Sequence, residues 1–419
     1  MAPGQRIEVV TIGTELLLGF TVDTNGAFLG QRLAEAGIEI VRRTAVGDAP
    51  AAIRAAIDEA LSRTGVVLTT GGLGPTRDDM SKVVVADLLG LPLEFRSEAW
   101  EMVLARYRRF GRTPVESNRS QAMVPVGATW LPNHWGTAPG LWVETPRGLV
   151  IMLPGMPLEM RMLMEQEVVP RLAARHSGTV VRSRTLRTCG VPESTLAERI
   201  GDAEDAIAPL SLAYLPSTSG VDLRITAWHL AADEADRRLD SATAALRARC
   251  GDSVYGTDSV DLAAIVLDQL RGTGDTLAVA ESCTGGLLGG RITSIPGASA
   301  VFLGGAICYA DDVKATTLGV DRALIEQHGA VSAAVAAAMA TGALDRFGAS
   351  VAVSITGIAG PSGGSEEKPV GLIWFGLARR GSVSTHRSVF GGNRDEIRAR
   401  AVQGALLALW RRLDRSAGA

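Results

Sequence analysis

Only three of the 42 basic residues in this 419-residue chain are lysines: Lys82, Lys314 and Lys368. Arginine stays protonated at any working pH, whereas a lysine amine can be tuned to titrate. Lys314 follows an apolar run at Ala306–Tyr309 and heads a helical pattern over Ala315–Leu318. Ser282 stands where another buried run, Thr276–Ala280, turns through Gly285 and Gly286 into an apolar helix. Such a bend exposes backbone N–H groups and the positive end of a helix dipole. A serine nucleophile there would have its oxyanion stabilised by donors already in place. A hydroxyl is weak alone and needs a base. His328 and His386 lie outside the glycine loops, so Lys314 is the better candidate, with Tyr309 to orient the amine or pass the proton. Burial would suppress the charge of such an amine. A nucleophile, an oxyanion hole and an acid for the leaving group suffice for amide hydrolysis, and no metal is required. The plainer readings stay open: Ser282 as a helix cap with Thr284, Lys314 as a solvated helix residue, and Cys283 as a rival nucleophile at a helix N-terminus.

A second constellation lies in the front half, in Thr69-Thr70-Gly71-Gly72-Leu73-Gly74-Pro75-Thr76-Arg77-Asp78-Asp79. Gly72 and Gly74 let backbone approach a ligand, and the N–H groups of such a turn favour anions. Asp78 and Asp79 offer oxygen ligands to a hard divalent cation; equally, acids in a first helical turn stabilise the dipole. Glu15, Asn25 and Thr76 supply further polar groups, and Gly155 sits in another glycine-bearing loop after a strand.

The elements that would position these residues alternate. Strands at Arg6–Gly13, Ile38–Val46, Val66–Thr70 and Leu149–Met152 are predicted, with helices at Asp23–Ala36, Ala49–Ser62 and Asp78–Leu89. This order implies a parallel sheet covered by helices, with ligands at the carboxyl ends of the strands. Between residues 171 and 255 the pattern becomes strand (Ser183–Thr188), helix (Glu193–Ile200), two strands (Leu210–Leu215, Val221–Leu230), helix (Ala232–Cys250), strand (Ser253–Tyr255). That is a small α+β unit with no candidate chemistry. From residue 256 a second α/β unit begins, with strands at Thr276–Ala280, Ala306–Tyr309, Ser350–Ile355, Leu372–Ala378 and Ser382–Phe390 and a closing helix at Arg394–Leu413. The fold class expected is α/β: two separate domains with mainly parallel sheets, at 1–170 and 256–419, joined by the α+β domain at 171–255.

Composition narrows the classes. The chain is 46% hydrophobic and 21% charged, ordinary for a globular protein and wrong for a disordered one. A net charge of −3 removes the main electrostatic support for nucleic-acid binding, so no nucleic acid is expected. No run reaches a membrane span and no signal peptide is visible, so neither a membrane nor secretion is expected and the location is read as cytoplasmic. The four cysteines have no metal-ligand spacing. A modular chain of this kind is expected to form a homo-oligomer.

Four strings of the rear half resemble the signature of the CinA C-terminal domain. They are Ala280-Glu281-Ser282-Cys283-Thr284-Gly285-Gly286, Cys308-Tyr309-Ala310-Asp311-Asp312-Val313-Lys314, Ser354-Ile355-Thr356-Gly357-Ile358-Ala359-Gly360-Pro361, and Phe390-Gly391-Gly392-Asn393-Arg394. The resemblance implies hydrolysis of the carboxamide of nicotinamide mononucleotide to nicotinate mononucleotide and ammonia. It implies a Ser–Lys dyad on Ser282 and Lys314, assisted by Tyr309, with no cofactor. Cys283, Thr284, Gly285 and Gly286 would contact substrate, Thr356, Gly357, Ala359 and Gly360 would line the pyridine and amide pocket, and Arg394 and Arg398 would meet the phosphate. One departure is visible: the stretch between tyrosine and lysine, usually rich in Ser and Asn, reads Ala310-Asp311-Asp312.

The front strings, with Pro154-Gly155-Met156-Pro157-Leu158-Glu159-Met160, resemble the molybdopterin-binding-like N-terminal domain of CinA proteins, and the middle segment resembles their KH-like insert. The resemblance implies ADP-ribose pyrophosphatase activity with a divalent cation and potassium, Asp78 and Asp79 serving the metal. The alternative it allows is a nucleotide- or molybdopterin-binding adaptor without turnover, linked to competence or DNA uptake. The KH-like likeness carries no expectation of RNA, since no cluster of glycines and basic residues accompanies it.

Overall fold

The computed structural model describes residues 6–175 and 179–417. Its contacts divide the chain into two compact units, residues 1–183 with 226–240 and residues 184–225 with 241–419.

The first unit is built on strands β1 (Arg6–Ile12), β2 (Glu39–Val46), β3 (Val66–Thr70), β4 (Leu93–Phe95), β5 (Met123–Pro125), β6 (Thr129–Leu131), β7 (Gly140–Thr145) and β8 (Gly148–Leu153). Six of them form one sheet in the order β2-β1-β3-β8-β7-β6, parallel through β8 and antiparallel beyond it. Strand β1 reads as a nearly continuous apolar run because both its faces are covered. Ile7 and Val9 face Leu29 and Leu33 of the helix Thr24–Glu35, while Val10 and Ile12 face Ile53 and Ile57 of the helix Pro50–Thr64. The short strands β4 to β7 fill a stretch whose runs of three to six residues give little periodicity to read.

One expected boundary is corrected. The helix after the glycine loop starts at Ser81, so Asp78 and Asp79 precede it and do not occupy its first turn. Asp79 instead folds back on the loop: Oδ2 accepts the Thr76 N–H at 2.9 Å and also the Thr76 hydroxyl. An aspartate bonding nearby backbone makes a turn of its own, which competes with the helix for those residues.

In the rest of the chain, β9 (Thr179–Thr188), β10 (Ser211–Pro216), β11 (Val221–Ala231) and β12 (Val254–Thr257) form a four-stranded sheet in the order β10-β11-β9-β12. Helices Glu193–Ile200 and Ala232–Cys250 accompany it, as expected for an α+β segment.

The second unit also contains β13 (Leu277–Glu281), β14 (Phe302–Ile307), β15 (Val351–Gly357), β16 (Leu372–Arg379) and β17 (Ser382–Val389), in the order β14-β13-β15-β16-β17. The first three are parallel and the last two antiparallel. Leu277 and Val279 of β13 pack with the helices Leu262–Thr273 and Arg394–Ala417 on one face. Ala278 and Ala280 pack with the helix Ala333–Phe347 on the other. Alanines on that face let helix and sheet approach closely, and Gly376 completes the contact: a Cβ there would lie 2.2 Å from the Ala336 carbonyl oxygen. Because β13, β14 and β15 run the same way, their carboxyl ends emerge along one edge, where ligands of such sheets bind.

The strand expected at Ala306–Tyr309 begins earlier and ends at Ile307. Gly304 and Gly305 belong to it, pairing with Ala278 and Val279, and glycines are not read as strand formers from sequence. The helix after it is longer than expected, Asp311–Leu318, so Lys314 lies within it and does not stand ahead of it.

Candidate active site

Three parallel strands deliver the chemistry to one place. Strand β13 ends at Glu281 and leads into Ser282, β14 leads into Tyr309 and the helix carrying Lys314, and β15 ends in Thr356-Gly357. The last rung between β13 and β14 is a bond from Cys308 N–H to the Glu281 carbonyl at 2.7 Å, which ties the serine turn to the tyrosine loop.

Ser282, Cys283, Tyr309, Asp311, Lys314, Thr356, Gly357, Ala359 and Arg394 line one cavity of about 180 Å³, together with Ala330 and Val331. Thus the structure brings together nine residues from all four rear strings. Lys314 is 1% exposed and Ser282 7%, so the amine is buried and the hydroxyl is reached only through the cavity. Lys314 Nζ donates to the Tyr309 carbonyl and to Asp311 Oδ1, both at 3.0 Å. Tyr309 therefore meets the amine through its backbone. Its ring is largely exposed, and its hydroxyl accepts a bond from Arg394 Nη2 at 3.1 Å. Of the two acids that depart from the family pattern, Asp311 faces the lysine and Asp312 pairs with Arg322.

The turn after Ser282 needs its glycines, since Gly285 and Gly286 have φ of 59° and 96°. Cys283 stands beside the serine, but burial pushes its thiol up to about 11, so it remains a neutral thiol near neutral pH. Thr356 Oγ1 donates to the Ala330 carbonyl at 2.8 Å, which holds the cavity's far wall. The two arginines divide. Arg394 is on the cavity and donates to the Gly360 carbonyl at 2.6 Å. Arg398 is off its lining and donates to the carbonyls of Cys283 (3.2 Å) and Thr284 (3.1 Å). Thr284, Gly285, Gly286 and Gly360 likewise lie behind the lining.

The sequence marked Asp311 and Asp312 together as acids beside the lysine without telling which one faces it, and it carried no notice of Ala330 and Val331 as wall or of Glu281. For Glu281 a signal was present, an acid closing an otherwise apolar strand. A larger cavity of about 1250 Å³ lies in the same unit beside β17 and the C-terminal helix. It contains a Ser388–His386 contact at 3.3 Å, but both side chains are on an exposed edge strand, and no carboxylate bonds that imidazole among the described residues.

At the front, the ends of β3 and β8 meet the start of the helix Thr24–Glu35. Asn25 Nδ2 donates to the Gly155 carbonyl (2.8 Å) and to Thr70 Oγ1 (3.3 Å), and Asn25 Oδ1 is buried without a partner among the described residues. Gly72 is required, because a Cβ would lie 2.0 Å from Ser81 Oγ, and Gly74 abuts the Asp79 carboxylate. Glu15 stays apart on the short helix Thr14–Leu17, where its neighbour Thr14 bonds Asp48 instead. A buried polar network unnoticed in the sequence joins Asn133 to Glu159, whose carboxyl is pushed up by burial. Lys82 is buried, donates to the Ser120 carbonyl, and has its ammonium pushed down to about 8 by that burial.

The implied divalent cation can be tested against these residues. No group of three His, Cys, Asp or Glu side chains among the described residues could hold a metal. Asp79 spends one oxygen on Thr76. Asp78 and Asp79 therefore fit only a magnesium-type ion that takes one or two carboxylates and completes its shell with water and phosphate oxygens.

Taken together, these features define a modular α/β protein with a glycine-loop domain in front and a serine–lysine cavity behind. Residues 259–413 match the family model described as "CinA C-terminal domain", residues 183–256 that of the "Damage-inducible protein CinA KH domain", and residues 8–174 that of the "Probable molybdopterin binding domain". A CinA-like protein of Gemmatimonas aurantiaca is 50% identical over 416 residues, covering 98% of this chain and 97% of its own. One of Salinibacter ruber is 45% identical over 387 residues, covering 92% and 94%. The solved competence/damage inducible protein CihA from Agrobacterium tumefaciens is 44% identical, with 36% of this chain and 93% of that one covered at a TM-score of 0.35. The chain belongs to the CinA family. Among its described residues no helix is long and apolar enough to cross a membrane.

Proposed function

We propose that the rear domain is an amidohydrolase that converts nicotinamide mononucleotide to nicotinate mononucleotide and ammonia. The observation that carries this reading is the shared cavity: the Ser282 hydroxyl and the Lys314 amine, 32 positions apart in sequence, open on the same 180 Å³ space. Ser282 Oγ attacks the carboxamide carbon and its proton passes to the Lys314 amine. Nearby backbone N–H groups receive the negative charge that forms on the carbonyl oxygen. The C–N bond then breaks, Lys314 returns the proton to the departing nitrogen, and ammonia leaves. Water, deprotonated by the same amine, cleaves the acyl-serine and releases the carboxylate. Arg394, at the rim, is the group that meets the phosphate.

The front domain, by the same proposal, cleaves ADP-ribose at its pyrophosphate with a divalent cation and potassium. The unpartnered Asn25 Oδ1 beside the glycine loop supports a ligand there. In this reading Asp78 and Asp79 would hold the cation, which would supply neutralisation of phosphate charge; the chain's own loop amides orient the pyrophosphate. The chain would act in the cytoplasm as a homo-oligomer, where its four buried cysteines remain unpaired.

The test is ammonia release from nicotinamide mononucleotide by the full chain. Wild type releases it; Ser282→Ala and Lys314→Arg lose at least about 1,000-fold, since arginine keeps the charge but cannot accept a proton. Full activity in Lys314→Arg refutes the dyad. No ammonia from wild type leaves the adaptor reading, which retains binding without turnover.

A further inference from the structure

The helix that follows Ser282 is expected to offer its N-terminal amides to the reaction, yet those amides are already taken. Glu281 is 1% exposed and sits at the end of β13. Its Oε2 accepts the N–H groups of Gly286 and Leu288, each at 3.0 Å, and its Oε1 accepts that of Gly289 at 2.8 Å. A buried carboxylate thus fills the start of the helix Leu287–Thr293 from inside the protein. No salt bridge to Glu281 is present among the described residues, so the backbone alone satisfies this charge.

The opposite side of the same turn is held by Arg398, which draws the carbonyls of Cys283 and Thr284 toward the C-terminal helix. The Ser282 carbonyl accepts Gly285 N–H at 3.1 Å. In a trans peptide the N–H points away from the carbonyl of the same unit. Fixing the Ser282 and Cys283 carbonyls therefore also fixes the directions of the Cys283 and Thr284 N–H groups. Among the described residues the Thr284 N–H meets no protein acceptor and that of Cys283 meets only its own thiol, although both residues are buried. The Thr284 hydroxyl is likewise buried and unpartnered. Buried backbone donors are nearly always paired, so two adjacent N–H groups without a backbone acceptor directly after a candidate nucleophile call for a physical reason.

We propose that Glu281 is a positioning residue: by occupying the amides of Gly286, Leu288 and Gly289 it sets the turn so that the N–H of Cys283, which lines the cavity, and not the helix start, receives the oxyanion. This rests on the amidohydrolase reading of Ser282. Arg398 acts on the same turn from its carbonyl side, which accounts for its place behind the cavity.

The experiment uses the full chain as wild type, Glu281→Gln, Glu281→Asp and Arg398→Lys. Two rates are followed beside melting temperature: kcat and KM for ammonia release from nicotinamide mononucleotide, and sulfonylation of Ser282 by phenylmethylsulfonyl fluoride, read as intact mass. The glutamine side chain has one acceptor oxygen and turns an NH2 toward amide donors. A displaced site of this kind costs on the order of 100-fold. Glu281→Gln is therefore expected to lower kcat by about that factor with KM within about twofold, and to slow sulfonylation in proportion. Glu281→Asp recovers part of both, because it keeps two acceptor oxygens. A Glu281→Gln protein with a lower melting temperature but both rates within about twofold of wild type overturns the proposal and makes Glu281 a helix anchor only. If that variant does not fold, Arg398→Lys decides: a loss of about tenfold in both rates supports the clamp, and unchanged rates overturn it. Wild type that is sulfonylated at Ser282, slowed by Glu281→Gln, yet releases no ammonia refutes the substrate and keeps the positioning role. Wild type inert in both assays overturns the two together.

Discussion

Asp311 Oδ1 lies 3.0 Å from the Nζ of Lys314, within one turn of the same helix, and the lysine is almost wholly buried while the aspartate is largely exposed. The pair is an ion pair with one partner in the cavity and the other at its mouth. This carboxylate and the Tyr309 carbonyl are the two acceptors that hold Nζ in the cavity.

Asp311→Asn keeps an acceptor near Nζ, whereas Asp311→Ala removes it. Ammonia release is expected to stay within about threefold of wild type in the first and to fall by about tenfold in the second, through kcat more than KM. An Asp311→Ala rate equal to wild type would show that the Tyr309 carbonyl alone holds the amine. The kcat and KM of the three proteins decide it.

Cys283 gives a second expectation. With its thiol pushed up to about 11, it carries little thiolate below pH 9. Cys283→Ala should retain activity within about threefold, and iodoacetamide should label this site in the folded protein slowly at pH 8 and faster above pH 10. Loss of activity in Cys283→Ala together with an active Ser282→Ala would move the nucleophile to sulfur.

Lys82 carries a pH signature of its own. Its ammonium is pushed from 10.5 down to about 8 by burial, with Asp79 opposing that shift. Between these values the unfolded chain binds the proton and the folded chain does not. Stability therefore rises with pH across that window, while below pH 8 the folded state bears the full cost of a buried charge. Two to three pKa units correspond to about 3 kcal/mol. Lys82→Met should be more stable than wild type at pH 7, with the difference shrinking as pH climbs from 8 toward 10. Urea melts at four pH values measure this; parallel curves for the two proteins would contradict it.

The front domain is expected to be protected from heat by ADP-ribose with magnesium more than by either alone, since two carboxylates leave the cation's shell to be completed by phosphate. A melting temperature that responds to a pterin and ignores ADP-ribose would redirect that site to pterin binding.

Ser282 and Lys314 were legible because their chemistry is carried by residue type: a serine at a glycine turn, and a lysine in a chain that otherwise writes arginine. The alternating elements were legible for the reason given for β1, burial on both faces. Asp78 and Asp79 misled because acids before a helix and acids inside its first turn look alike until the Thr76 bonds are seen. Tyr309 was expected to orient the amine or pass the proton, and only the structure shows that the group on the amine is its carbonyl. Arg398 could not be told from Arg394 by spacing, since both lie in the first turns of one helix and differ only in which carbonyls they reach. Glu281 was hidden most deeply, because its partners are backbone groups of residues with no polar side chain.

The rung between Cys308 and Glu281 sets how far this gene can tolerate insertions. Residues added at the exposed turn of Pro296 and Gly297 would loop out at little cost, because that turn carries no group of the cavity. One residue added between Ile307 and Lys314 would rotate the amine by about 100° around its helix, and no compensating change on the serine side could bring it back.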